Sequence, residues 1–198
     1  MKKQIFVILV GVVLATTAPG QTFVEPKSIK DKMQWFADAK LGIFIHSGIY
    51  SVNGIDESWS FFNKKISYTD YMKQLKGFTM KNYDPAAWAE LIKESGARYS
   101  VITTKHHDGV ALYPTKFSTL NVVSQTPAKR DLIAPFFAEL RKRGIKAGAY
   151  FSLLDWSHPD YPAFIKDSTR YAIPSDYTRW NRFRAFAQGQ LMEVAKTY

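Results

Sequence analysis

Residues 96–109 read Gly-Ala-Arg-Tyr-Ser-Val-Ile-Thr-Thr-Lys-His-His-Asp-Gly. The run 99–104 is short, apolar and β-branched, and it stops on a polar cluster, as a buried parallel strand does. The same pattern recurs in Lys40-Leu41-Gly42-Ile43-Phe44-Ile45-His46 and in Ile145-Lys146-Ala147-Gly148-Ala149-Tyr150-Phe151-Ser152. An amphipathic helix precedes the runs at 99–104 and at 145–152. One begins at Asp84-Pro85, a capping carboxylate followed by a proline at the first helical position. It carries Trp88, Leu91 and Ile92 at helical spacing and stops at Gly96. The other opens at Asp131, turns Leu132, Ile133, Phe136, Phe137 and Leu140 to one face, and stops at Gly144. A last helical stretch covers about 175–198, with Trp180, Phe183, Phe186, Leu191 and Val194.

Helix, glycine and strand in repetition predict β/α units around a parallel sheet. The expected fold class is α/β, a (β/α)8 TIM-like barrel of which residues 21–198 form only the first part. Eight units need roughly 250 residues, and this chain of 198 shows three clear strands. Residues 50–83, rich in Tyr, Phe and Lys, read as a long βα loop with helical content at 68–75. In such a barrel the C-terminal ends of the strands build the active site. There stand His46, then Lys105, His106, His107 and Asp108, then Tyr150, Asp155 and Trp156. A doubly wound open sheet would more often show a glycine-rich phosphate turn, and the sequence has none.

The N-terminus, MKKQIFVILVGVVLATTAPGQTF, places two lysines before an apolar run and small residues around Ala18 and Gly20. This layout predicts a secretory signal over 1–20, export to the periplasm or the extracellular space, and no membrane association after cleavage. The apolar run is shorter than the roughly 20 residues of a spanning helix. The chain has no cysteine, which excludes a disulfide framework, a thiolate metal site and a cysteine nucleophile. The formal net charge of +10 comes from Lys and Arg spread along the chain, as in Arg141-Lys142-Arg143. They read as solvated surface, so no nucleic-acid partner is expected. Fourteen Phe, eleven Tyr and five Trp fill a core and can also offer flat platforms to sugar rings.

The paired histidines admit several chemistries. Barrel metallohydrolases place histidines at strand ends, but in pairs separated by one residue, so that both point inward. Here His46 stands alone and His106 and His107 are adjacent, a poor geometry for sharing one ion. No serine sits in a Gly-x-Ser-x-Gly elbow. Buried structural histidines are a further alternative. Recognition of a polyhydroxylated ligand is the remaining one, because a neutral imidazole donates from one nitrogen and accepts at the other. Glu57 and Trp59, in the loop after the first strand, would add an acceptor for hydroxyls and an indole face. Asp108 is expected to fix its turn or to orient a histidine.

Taken together, these residues resemble the α-L-fucosidases of glycoside hydrolase family twenty-nine. The matches run in order through Trp35-Phe36, Lys40-Leu41-Gly42-Ile43-Phe44-Ile45-His46-Ser47-Gly48, Glu57-Ser58-Trp59, Tyr83-Asp84-Pro85 with Trp88, and Gly96-Ala97-Arg98-Tyr99. They continue through Thr103-Thr104-Lys105-His106-His107-Asp108-Gly109, Lys129-Arg130-Asp131-Leu132 and Gly148-Ala149-Tyr150-Phe151-Ser152 with Asp155-Trp156. The resemblance implies a catalytic barrel followed by a β-sandwich, hydrolysis of α-L-fucosides with retention, a fucosylated glycan as partner, and neither cofactor nor metal. It assigns His46, His106 and His107 to the fucose hydroxyls, and Glu57, Trp59 and, at the end of the third strand, Tyr150 to substrate binding in the same pocket. Ser58 separates Glu57 from Trp59 where the family often has them adjacent. Retention needs two carboxyl groups about 5 Å apart. By the resemblance, the nucleophilic aspartate follows a helix like that of 181–198, and the acid/base comes later. This chain alone is therefore expected to hold its substrate without cutting it. A carbohydrate-binding protein that keeps the clamp, or a metal-dependent barrel hydrolase, are the alternatives.

Overall fold

The computed structural model describes residues 28–164 and 177–198. The signal expected over 1–20 and the first two residues of the helical stretch expected from 175 lie outside them. The chain divides into two compact units, Met1–Trp35 and Phe36–Tyr198. The described part of the first unit is the start of helix α1 (Ile29–Ala39), which the sequence patterning does not predict. Ser28 opens it, its hydroxyl accepting from the Asp31 amide at 3.1 Å and donating to the Asp31 carboxylate at 2.7 Å.

In the second unit, β1 (Gly42–Ile45), β2 (Tyr99–Lys105) and β3 (Lys146–Phe151) form a parallel sheet in the order β1-β2-β3. Gly42 lies opposite Tyr99, and Tyr99 opposite Lys146. β1 is shorter than the expected 40–46, because Lys40 takes a left-handed turn (φ 60°) and His46 lies past the last paired residue. The crossovers are α4 (Pro85–Glu94) and α6 (Ile133–Lys142), both ended by the glycines that the sequence singled out. Asp84 caps α4 by accepting from Ala86 N and Ala87 N, each at 3.0 Å. Asp131 does the same for α6 from Ile133 N (2.7 Å) and Ala134 N (3.1 Å). The apolar face of α6, with Ile133, Phe136, Phe137 and Leu140, is buried, and so are Ala89 and Ile92 of α4. Each large side chain sealed in this way contributes roughly 1.5–3 kcal/mol.

The long loop after β1 holds α2 (Trp59–Phe62) and α3 (Tyr68–Met72), and α3 tightens into a 3-10 turn over Lys73–Gly77, so the helix expected at 68–75 changes pitch midway. Ile49, Phe61, Tyr71 and Phe78 of this loop join the core. Between β2 and α6 lies α5 (Val122–Gln125), preceded by the buried Val110, Ala111, Leu112 and Tyr113. The last element, α7 (Tyr177–Thr197), is tied back by polar contacts. Arg182 holds both Asp160 oxygens (2.9 and 2.7 Å), Glu193 accepts from Thr115 Oγ1 (2.6 Å) and Lys116 N (2.9 Å), and the Tyr198 hydroxyl donates to Asp131 Oδ2 (2.6 Å). No helix among the described residues is long and apolar enough to cross a membrane.

Candidate functional site

The polar groups gather where the sheet's strands end. At the end of β1, Thr103 Oγ1 accepts from Ser47 N (2.8 Å) and donates to Ser47 O (2.5 Å), which pins the residue after His46 to β2. His46 itself is exposed, with its Nδ1 2.6 Å from the hydroxyl of the buried Tyr50.

At the end of β2 the pairing with β3 shifts register between Thr103 and Lys105, and the chain then turns sharply. Gly109 N donates to His106 O (3.1 Å), while Asp108 accepts from Val110 N (3.0 Å) and from the Tyr71 hydroxyl (2.6 Å). Gly109 sits at φ 80°, and a Cβ there would come within 2.0 Å of Ser157 Oγ and 2.7 Å of Asp155 Oδ1, so only glycine fits this turn. Neighbours on a regular strand would face opposite ways. The turn instead brings the His106 and His107 rings together, centroids 4.0 Å apart and tilted by 32°. His46 stands 4.8 Å from His106, and the Trp59 indole meets His107 edge-on at 5.8 Å. Tyr150 lies nearly parallel to His106 at 6.0 Å, whereas Phe151 packs under Lys105 Nζ at 4.7 Å. Tyr150 is thus the β3 residue that faces the histidines.

Asp108 fixes the turn and Tyr71; among the described residues it accepts no hydrogen bond from a histidine, so of its two expected roles only the first is seen. Complete burial pushes its carboxyl up to about 6, against the lowering effect of the Tyr71 and Val110 hydrogen bonds. Asp155 is equally committed: Lys105 Nζ donates to its Oδ2 at 2.9 Å in a fully buried ion pair, and its Oδ1 accepts from Ser157 N, Ser157 Oγ and His158 N. Glu57 differs. It is half-buried, and among the described residues its carboxylate has no hydrogen-bond or ion-pair partner. Its charge is the main influence opposing burial at His107. Burial holds His107 below the usual imidazole range and, with the neighbouring His107 and His46, pushes His106 down to about 3. Both rings are therefore neutral at physiological pH, the state in which an imidazole offers one donor and one acceptor.

Two serines escape sequence reasoning. Ser58 is buried, with its Oγ 2.5 Å from His106 Nδ1, and Ser152 Oγ stands 2.5 Å from His107 Nδ1. The only signal was positional: Ser58 lies between Glu57 and Trp59, and Ser152 follows β3. Trp156 backs the cluster, stacked on Phe62 (4.1 Å, 21°) and edge-on to Trp59 (4.9 Å) and His107 (4.8 Å). Among the described residues, no group of three or more His, Cys, Asp or Glu is gathered as a metal site would need. Three imidazoles, an unpartnered carboxylate and two aromatic rings make a set suited to hydroxyl groups and to the apolar face of a sugar ring.

A family model described as Alpha-L-fucosidase matches residues 14–198. The tissue alpha-L-fucosidase of Bos taurus is 33% identical over 172 residues, 76% of this chain and 37% of the bovine protein. The alpha-L-fucosidase of Branchiostoma floridae is 34% identical over 163 residues, 73% of this chain and 35% of that protein. This chain thus spans little more than a third of the length of these relatives. Among solved structures, a family twenty-nine alpha-L-fucosidase from Bacteroides thetaiotaomicron superposes with a TM-score of 0.74 at 34% identity, over 88% of this chain and 40% of that one; it has also been solved as a trapped covalent intermediate with 2-fluoro-fucosyl fluoride. The Thermotoga maritima alpha-fucosidase in complex with fucose superposes with a TM-score of 0.64 at 34% identity, over 83% of this chain and 44% of that one.

Proposed function

Because the chain belongs to the alpha-L-fucosidase family, with its three parallel strands forming the N-terminal part of a TIM barrel, we propose that it is the fucose-holding portion of an exported, retaining α-L-fucosidase. The observation that carries this reading is the convergence of His46, His106 and His107 at neighbouring strand ends, with ring centroids 4.0 and 4.8 Å apart. Imidazole nitrogens there donate to and accept from hydroxyl groups, Glu57 accepts from further hydroxyls, and Trp59 and Tyr150 cover the ring's apolar edge.

Retention passes through a covalent glycosyl-enzyme and needs two carboxyls about 5 Å apart. A covalent intermediate in the Bacteroides relative supports that route. Asp108 and Asp155 are committed to the turn and the buried ion pair, which leaves Glu57, among the described residues, as the carboxylate at the cluster without a partner. We therefore assign the nucleophile and the acid/base to the part of the barrel that the relatives have beyond the span matched here. Export rests on the lysine-led apolar stretch of residues 1–20.

The test is release of L-fucose from an aryl α-L-fucoside by the full-length protein. Release with the α-anomer as first product supports the reading; a folded full-length protein that releases no fucose contradicts it.

A further inference from the structure

The loop after β3 holds His107 in one tautomer. Ser152 Oγ donates to Leu154 O at 2.8 Å, and a serine hydroxyl has a single proton. At His107 Nδ1, 2.5 Å away, the same oxygen can then act only as acceptor, so Nδ1 carries the hydrogen. The neutral ring is left with a bare lone pair on Nε2. The loop has little freedom to relax this arrangement. Its ends are sewn to the β2 terminus by Ser152 N to Lys105 O (3.1 Å) and Trp156 N to His107 O (2.9 Å), and the buried Lys105–Asp155 pair (2.9 Å) anchors its middle.

We propose that Ser152 is a positioning residue that fixes His107 as a hydrogen-bond acceptor, so that the cluster reads the direction of a ligand's hydroxyl as well as its place. The hydroxyl that meets His107 must donate. A ligand with that hydroxyl replaced by fluorine is rejected, although its shape is nearly unchanged. This rests on the fucose-holding reading for the identity of the ligand, but the tautomer itself does not.

The test is long-range 1H–15N correlation on the histidine-labelled full chain, which distinguishes a protonated from a bare ring nitrogen. In the wild type, His107 shows a protonated Nδ1 and a bare Nε2. Ser152→Ala mixes the His107 tautomers and Ser152→Thr, which keeps the hydroxyl, restores the wild-type spectrum. L-Fucose binding, measured in parallel by calorimetry, weakens about tenfold in Ser152→Ala and recovers in Ser152→Thr. A bare Nδ1 on His107 in the wild type, or an unchanged tautomer in Ser152→Ala, overturns the proposal without needing any ligand. The expected tautomers together with no binding of fucose in the wild type would instead remove the fucose reading and leave the positioning role standing.

Discussion

Asp108 and His106 stand two residues apart in one turn and respond to acid in opposite ways. The Asp108 carboxyl is raised to about 6 when folded, against roughly 3.9 in an unfolded chain. Between those values the folded protein holds a proton that the unfolded chain has released, so this group's contribution to stability falls as pH rises from 4 to 6. His106, pushed down to about 3, does the reverse: below about 6.5 the unfolded chain takes a proton that the folded ring refuses, and stability falls as pH falls. The two windows overlap, so the whole protein's profile conceals both. Comparing wild type with Asp108→Asn by urea unfolding isolates the first. The wild type gains about 2 kcal/mol relative to the variant on going from pH 7 to pH 4.5, at about 1.4 kcal/mol per pKa unit. A difference that does not change with pH contradicts the assignment. The cluster His46, His106 and His107 is visible in the sequence because all three residues end strands. Ser58 and Ser152 are not, since a serine's partner is set by which loop folds over it.

At the scale of elements, the helix caps were read from local chemistry alone, and the structure forms them as expected. Asp84 and Asp131 each accept from two backbone amides, but Asp131 also receives the Tyr198 hydroxyl at 2.6 Å, which joins the start of α6 to the end of α7. Asp84→Ala should cost about 1 kcal/mol, the usual value of a cap. Asp131→Ala should cost about 2 kcal/mol, because one further charge-assisted hydrogen bond is lost. Denaturant unfolding of the two variants checks the order; an equal or larger loss in Asp84→Ala contradicts it. The strands of residues 99–104 and 145–152 were legible for the same local reason, each being an apolar run after a glycine stop. Helices α2 and α5 were not, since four residues are too few to show a period. The turn at Gly109 was only permitted by the sequence; what enforces it is the approach of Ser157 and Asp155 from the next loop.

At the scale of the molecule, β2 is paired on both sides, whereas among the described residues β1 and β3 each pair on one. Phe44, on β1, is 51% exposed beside Tyr150, on the side that the histidines share. In a closed barrel, further strands would face such a residue. An apolar cavity of about 330 Å³ between the loop after β3 and α7, lined by Leu153, Trp180, Phe183 and Leu191 among others, contains no histidine; the histidine cluster sits at the ends of the strands instead. The barrel class was readable from the rhythm of helix, glycine and strand. The side-by-side seating of His106 and His107 was not, because strand alternation alone points them apart.

Calorimetric titration of L-fucose into the full chain decides whether this histidine face holds fucose. The account predicts saturable one-to-one binding that weakens at least tenfold in His107→Ala, while Leu91→Ala, a change on the exposed face of α4, leaves it unaltered. Binding of equal strength in the wild type and His107→Ala, with both proteins folded, would contradict it.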